Sequence, residues 1–472
     1  MFDMIPMKTF LLFLLILVAV PSSFAQSTTV NWATTYQTMD GFGGQTWASA
    51  NSISDAQADL LFSTTAGIGL SIVRTANTPD NSIPDIVTLQ KAVARGAKVE
   101  LGLQSPPAFM KTSNNFSGGS LLSSSYSAYA TYIVNWIKTL ASDGVPVSYL
   151  DIQNEPDVDG SGGSCTDAGC LGRAVWTASN FDIFVANDLG PALASAGLNN
   201  IKVMLPSLAE WFDQDLASTC LNDSNCARYV SIVSGHGYEW SGGNLATDGT
   251  GVAACCHSAT PYPLALNNGK HVWLAEVNGG LSEIGSTGNS PFDPSIADAM
   301  VWSHNLHDFL TISSVSGWEY WELASWNDNN YNDGWVDHNF NPGKRYYALG
   351  NWTKFVRPGW VRIGTTTNPQ SGVYVTAFKE TSSGKFAIIV LNRNSGSVDL
   401  SVSLSGFPSV GSVTPIVTSA SDNLAEQSVT AVSGGEFSYS LPATSVVTFI
   451  GTASASASNP PNAPTNLVVT VH

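Results

Sequence analysis

From Met39 to about Leu349 the chain alternates short β-like runs with helical stretches, and this alternation limits the fold more than any other feature. Runs at residues 41–44, 70–74, 98–104, 148–154, 201–206, 232–238, 272–276 and 315–323 are short and read as buried strands. Helices are expected over 54–63, 84–95, 124–142, 180–196, 294–309 and 343–356. The first of these opens on Ser54-Asp-Ala-Gln57, a capping box with Gln three residues after Ser. Eight strands, each followed by a helix or long loop, are the count of a closed parallel (β/α)8 barrel in the α/β class. The alternative, an open doubly wound sheet, needs a phosphate-gripping glycine motif. Gly41-Phe-Gly-Gly44 has neither the spacing nor the following helix start.

Two of the runs lead to carboxylates. In Tyr149-Leu-Asp-Ile-Gln-Asn-Glu-Pro-Asp157 an apolar strand meets Asn154-Glu155-Pro156, and Pro156, having no N–H for a ladder, is expected to stop it. In His271-Val-Trp-Leu-Ala-Glu-Val-Asn278 a second strand ends on Glu276. Barrel enzymes carry their reacting groups at the carboxyl ends of the strands. Two glutamates so placed suggest the paired carboxylates of glycoside hydrolysis. The plainer reading is two structural carboxylates at helix starts.

Composition narrows the partners. With 19 Lys and Arg against 36 Asp and Glu, the net charge is −17, a poor match to nucleic acid or an anionic membrane. Fourteen Trp in so weakly charged a chain suit a neutral ligand with apolar faces, such as a sugar ring, although most of them are expected in the core. Residues 1–25 read as a signal peptide: Lys8 gives the positive charge, 10–20 the apolar core, and Ser23-Phe-Ala25 the cleavage site. The mature chain is therefore expected to be secreted (extracellular or periplasmic), free of membrane after cleavage, and monomeric. All six cysteines follow the signal, which favours disulfides; Cys165/Cys170 and Cys220/Cys226 are near enough to close small loops, and Cys255-Cys256 is open to vicinal or separate pairing. No zinc-ligand spacing supports a metal site. No G-x-S-x-G nucleophile elbow is present.

After Trp360 the texture turns to short β-branched runs separated by Gly, Ser and Asn, as in an antiparallel β-sandwich. The expected organisation is a signal peptide (1–25), an N-terminal strand joining the sandwich (26–37), the barrel (38–354), the sandwich (355–451), a Ser/Ala/Pro linker (452–464) and the start of a further module (465–472). Pro461-Asn-Ala-Pro-Thr-Asn-Leu467 resembles the opening of a fibronectin type III module.

The chain resembles glycoside hydrolase family 30 from about Thr38 to Ile450. The resemblance rests on Met39-Asp-Gly-Phe-Gly-Gly44, Ser71-Ile-Val-Arg74, Ser105-Pro-Pro-Ala-Phe-Met-Lys111, Ile152-Gln-Asn-Glu-Pro-Asp157, His236-Gly-Tyr238, Trp273-Leu-Ala-Glu276, and Arg345-Tyr-Tyr-Ala-Leu-Gly350 leading into Phe355-Val-Arg-Pro-Gly359. It implies a TIM barrel with a side sandwich, and a retaining β-glycosidase in which Glu155 is the acid/base and Glu276 the nucleophile. It further implies that Asn154 meets the sugar 2-hydroxyl, Tyr238 holds Glu276, and Arg74 keeps Glu276 ionised. His236, Trp321, Phe109 and Trp47 are candidate pocket residues, His236 and Trp321 with a competing role in the core. No metal or cofactor is required for acid/base and covalent steps.

Two departures bear on substrate. Phe109 stands where relatives acting on glucosides often have Trp. Residues 325–335, after the eighth strand, hold no Arg or Lys to grip a glucuronate. A neutral β-linked polysaccharide is therefore expected, xylan, β-1,6-galactan or β-1,6-glucan, cut internally, with Trp326, Tyr331 and Trp335 as a stacking shelf. An exo-acting β-glycosidase and a non-catalytic carbohydrate-binding barrel are the alternatives.

Overall fold

The computed structural model describes residues 26–46, 52–83, 85–160, 172–212, 215–238, 259–279 and 291–454. The expected signal, most of the expected linker, the expected further module, Trp47, Cys165, Cys170, Cys255 and Cys256 lie outside them. The chain opens with β1 (Gln26–Thr38) and then runs through β2 (Gly41–Gln45), β3 (Ile72–Ala76), β4 (Lys98–Gly102), β5 (Val147–Asp151), β6 (Lys202–Glu210), β7 (Val230–Tyr238), β8 (His271–Glu276) and β9 (Gly317–Ala324). Strands β2 to β9 lie side by side in chain order, all parallel, and β9 pairs with both β8 and β2. The sheet is thus a closed eight-stranded barrel. A short β10 (Gly334–Val336) adds to β9 outside the ring.

The glycines of β2 serve this closure. A Cβ on Gly43 would lie 2.7 Å from the Ile72 backbone oxygen and one on Gly44 2.6 Å from that of Tyr320, so only bare backbone fits between β3 and β9. The helices form outside. Ser54 Oγ accepts the Gln57 N–H at 3.2 Å and Gln57 Oε1 accepts the Ser54 N–H at 2.7 Å, which starts helix Asp55–Phe62. The helix expected over 180–196 is three pieces, α Ala178–Phe184, a π turn Val185–Leu189 and α Gly190–Ser195. Pro191, at the head of the last piece, has no N–H to continue the ladder, and the π turn absorbs the fault. No described helix is long and apolar enough to cross a membrane.

The second sheet is mostly antiparallel. Strand β1 joins it, pairing with β11 (Val361–Thr365) antiparallel and β14 (Val398–Ser405) parallel; β12 (Val373–Lys379) and β13 (Lys385–Asn392) follow from β11. Alternation along β12 and β13 divides two cores. Val373, Val375, Ala377, Phe386, Ile388 and Val390 fill the sandwich, while Tyr374, Phe378, Ala387, Ile389 and Leu391 join the core shared with the barrel's helices. Trp352 Nε1 donates to Thr376 Oγ1 at 3.0 Å and Thr448 Oγ1 to the Asn351 carbonyl at 2.9 Å across that seam. The sandwich is therefore a buttress for helices Ile296–Thr311 and Lys344–Thr353.

Inside the barrel, Ile72, Tyr149, Met204, Ile232, Trp273 and Ala275 form a separate buried floor. Two residues further toward the carboxyl end of β3 the interior becomes charged, at Arg74, with Glu100 beside it in register on β4. The site stands on this layer.

Candidate active site

Glu276 is the last residue of β8 and is 1% exposed. Arg74 Nη1 donates to its Oε2 at 2.5 Å and the Tyr238 hydroxyl to its Oε1 at 3.0 Å. Arg74 comes from β3 and Tyr238 ends β7, so three strands fix one carboxylate. Arg74 Nη2 also donates to Asn154 Oδ1 at 2.6 Å, which leaves the Asn154 amide nitrogen as the group able to meet a ligand hydroxyl.

Glu155 reaches the site differently from the sequence expectation. Strand β5 ends at Asp151, before Pro156 could stop it, and Glu155 sits on the turn beyond with φ +46°. That backbone region is costly for a residue with a Cβ, about 1–3 kcal/mol. It persists because its neighbours are tied down. Asn154 N–H donates to the Leu103 carbonyl at 2.7 Å, Glu155 N–H to that of Ser207 at 3.0 Å, and Gln153 Oε1 accepts Trp176 Nε1 at 3.1 Å. The result is a 3% exposed carboxylate aimed across the barrel mouth.

One carboxylate oxygen of Glu155, one of Glu276 and a ring nitrogen of His236 all lie within 4.8 Å of one another. His236 is fully buried, with Nδ1 at 3.2 Å from Glu155 Oε1 and 3.6 Å from Glu276 Oε1. Burial, and then the charges of Arg74 and Arg173, hold the imidazole well below its ordinary pKa, so it is neutral here. With two guanidiniums already supplying positive charge, the trio is an unfavourable seat for a metal ion.

The residue that sequence reasoning missed is Arg173, whose guanidinium pairs with Glu155. It follows a stretch of Gly, Ser and Cys with no periodicity, so nothing in the pattern marked it. Also unanticipated is the charged layer below. Arg74 Nε lies 3.3 Å from Glu100 Oε1 and Nη2 3.6 Å from Asp151 Oδ2, all three at most 1% exposed. Burial alone would weaken the hold of Arg74 on its proton, but the carboxylates of Glu276, Glu100, Asp151 and Glu319 outweigh it and keep the guanidinium charged. Burial pushes Asp151 up to about 7, with Arg74 opposing. Burial and then Glu100 push Glu319 far above the carboxylate range, so Glu319 is held protonated beside Glu100. Glu319 is thus part of the buried support. Burial also raises Glu276, against the pull of Arg74, Tyr238 and Arg173.

The aromatic candidates divide. Trp321 is partly exposed on β9, and its backbone N–H donates to the carbonyl of Val277, the residue after Glu276, at 2.9 Å. Phe109 projects from the short 3-10 turn Ala108–Met110, is 73% exposed, and has no described contact with either glutamate. The expected shelf is corrected at Trp335. It is fully buried, edge-on to Trp318 and Tyr320, and its Nε1 donates to the Gly43 carbonyl at 3.0 Å, because β10 turns it inward; Trp326, half exposed, remains at the surface. Cys220 and Cys226 form a disulfide beside the π turn.

A parallel barrel with two carboxylates at this spacing, buttressed by a β-sandwich, defines a glycoside hydrolase. Residues 77–251 match the glycosyl hydrolase family 30 TIM-barrel domain and residues 359–449 the family 30 beta sandwich domain. The glucuronoxylanase XynC of Bacillus subtilis strain 168 is 28% identical over 436 residues, 90% of this chain and 92% of that protein. The family 30 subfamily 8 xylanase Xyn30A of Clostridium acetobutylicum superposes with a TM-score of 0.74 at 29% identity, covering 91% of this chain and all of that one. A family 30 endoxylanase of Clostridium papyrosolvens C71 gives 0.72 at 26% identity over 90% of this chain. The chain belongs to glycoside hydrolase family 30.

Proposed function

We propose that the protein is an exported, endo-acting, retaining hydrolase of a xylan-type β-linked polysaccharide. The observation that carries the mechanism is the approach of Glu155 and Glu276 to within 4.8 Å. Retaining enzymes hold their carboxyl groups roughly 5 Å apart, which permits direct attack, whereas inverting enzymes need about 6.5–9.5 Å to admit a water.

Glu276 is the nucleophile. Its 2.5 Å contact with Arg74 favours the carboxylate, and the Tyr238 hydroxyl fixes which lone pair faces the sugar. Glu155 is the acid/base. It protonates the glycosidic oxygen as Glu276 bonds to the anomeric carbon, then takes a proton from the water that displaces Glu276. The free amide nitrogen of Asn154 suits the 2-hydroxyl of the reacting sugar, a contact that strengthens as charge develops on the ring. The xylan assignment is supported by what the relatives above are named for. A neutral backbone is favoured by residues 325–335, which offer no cation for a uronate. Export is favoured by residues 1–25.

The test is product analysis of the purified protein on unsubstituted xylan, glucuronoxylan, β-1,6-galactan and β-1,6-glucan, beside Glu276→Gln. Xylo-oligosaccharides of mixed length, absent with the variant, are expected. Release of single sugars from chain ends would replace the endo reading with an exo-glycosidase, and binding of xylan without cleavage would leave a sugar-binding barrel.

A further inference from the structure

Arg173 is held as a built part of the site. Its carbonyl accepts from the buried Lys111 Nζ at 2.5 Å and from Ser105 Oγ at 3.2 Å, and its N–H donates to the Phe116 carbonyl at 3.3 Å. Gly160 makes room for its stem, since a Cβ there would lie 2.5 Å from Arg173 Cγ. The backbone is therefore fixed, and the side chain that carries the guanidinium is 19% exposed. It rests on Glu155.

That contact conflicts with proton donation. A guanidinium against a carboxyl group selects its ionised form, and an ionised Glu155 has no proton for a leaving oxygen. The other groups facing Glu155 do not undo this. His236 on β7 is neutral, Tyr238 on β7 is kept protonated by burial and Glu276, Glu276 on β8 is itself matched to Arg74 on β3, and Lys111, near Asp159, is spent on the Arg173 carbonyl.

We infer that Arg173 is a positioning residue that switches Glu155 between its two roles. In the free enzyme it stores Glu155 as the carboxylate. A glycan on the leaving-group side takes the guanidinium as a donor to its hydroxyls, Glu155 acquires a proton from water, and that proton passes to the glycosidic oxygen as the bond to the anomeric carbon breaks and Glu276 bonds to that carbon. When the leaving glycan departs, Arg173 returns and Glu155 is again the base that the second step needs. The position of one guanidinium thus tracks the protonation state each half-reaction requires. This inference rests on the acid/base role proposed above for Glu155.

The experiment compares pH profiles of kcat/KM, which reports the free enzyme, with those of kcat, which reports the complex. It uses a linear xylo-oligosaccharide with the wild type, Arg173→Met and Arg173→Lys, with melting temperatures recorded for each. In the wild type the alkaline limb of kcat/KM should lie roughly one pH unit or more below that of kcat. In Arg173→Met the kcat/KM limb should rise to meet the kcat limb, and Arg173→Lys should keep most of the gap. Coincident limbs in an active wild type overturn the inference, as does a uniform loss in Arg173→Met with the gap intact. Should Arg173→Met not fold, the wild-type gap and Arg173→Lys decide. A wild type inactive on every glycan overturns the hydrolase reading itself, and this one with it.

Discussion

Arg74 Nη1 lies 2.5 Å from Glu276 Oε2, although 202 residues separate the two in the chain. The same guanidinium meets Glu100, Asp151 and Asn154, so one cation from β3 orients Glu276, the amide beside Glu155 and the buried layer beneath both. Replacing it by Met would leave those carboxylates uncompensated in the barrel interior. Arg74→Met is expected to cost about 3–5 kcal/mol of stability, read by urea unfolding, and Arg74→Lys less, since it keeps the charge but loses the fork.

Removing the proposed nucleophile should be close to absolute. Glu276→Gln is nearly isosteric, so it should fold, and its kcat on xylan should fall about 10,000-fold or more. Unchanged melting with residual activity at a tenth of wild type would remove Glu276 from the covalent step.

Tyr238 contributes through one hydrogen bond to an ionised acceptor at 3.0 Å. Tyr238→Phe should lose about 1.5–3 kcal/mol of that interaction, or roughly ten- to a hundredfold in kcat/KM. The hydroxyl pulls the Glu276 carboxyl down. Its loss therefore raises that group, and the acid limb of the kcat/KM profile should move to higher pH. A profile that falls in height without moving would mean the hydroxyl only shapes the pocket.

Glu319 makes a pH-dependent prediction about stability. Its folded pKa is raised far above 4.5 by burial and by Glu100. A group raised on folding contributes stability that is complete below the unfolded value and is lost as pH climbs toward the folded one. Glu319→Gln removes that titration at nearly the same side-chain volume. The melting temperature of the variant relative to wild type should therefore rise steadily from pH 4 upward, and a difference independent of pH would mean the two carboxyls do not share a proton.

Much of this was legible in the chain. Glu276 closes an apolar run whose length and flanks allow little but a barrel strand, and the glycines of β2, already unfit for a phosphate loop, fit the tight passage beside Ile72 and Tyr320. Glu155 was visible as a residue but not in its setting, because a left-handed turn held by Leu103 and Ser207 depends on strands distant in sequence. Glu100 and Asp151 did leave a signal, charged residues inside short apolar runs, which points to an inward face below a site. Arg173 left none. Trp335 was misplaced because an aromatic in a polar loop reads alike whether it faces solvent or folds back on Trp318.

That correction is itself testable. Trp335→Ala should cost about 3–5 kcal/mol as a core truncation, with KM for xylan unchanged at a temperature where the variant is folded. A raised KM with unchanged melting would return Trp335 to the substrate surface.

The most direct measurement is the stereochemistry of the first product. Proton NMR of xylo-oligosaccharide hydrolysis, sampled before mutarotation, should show the β-anomer first and the α-anomer only later, because carboxylates within 4.8 Å leave no space for a water between nucleophile and sugar. Appearance of the α-anomer first would mean inversion, and Glu276 would then be a base acting through water rather than the group that bonds to the sugar.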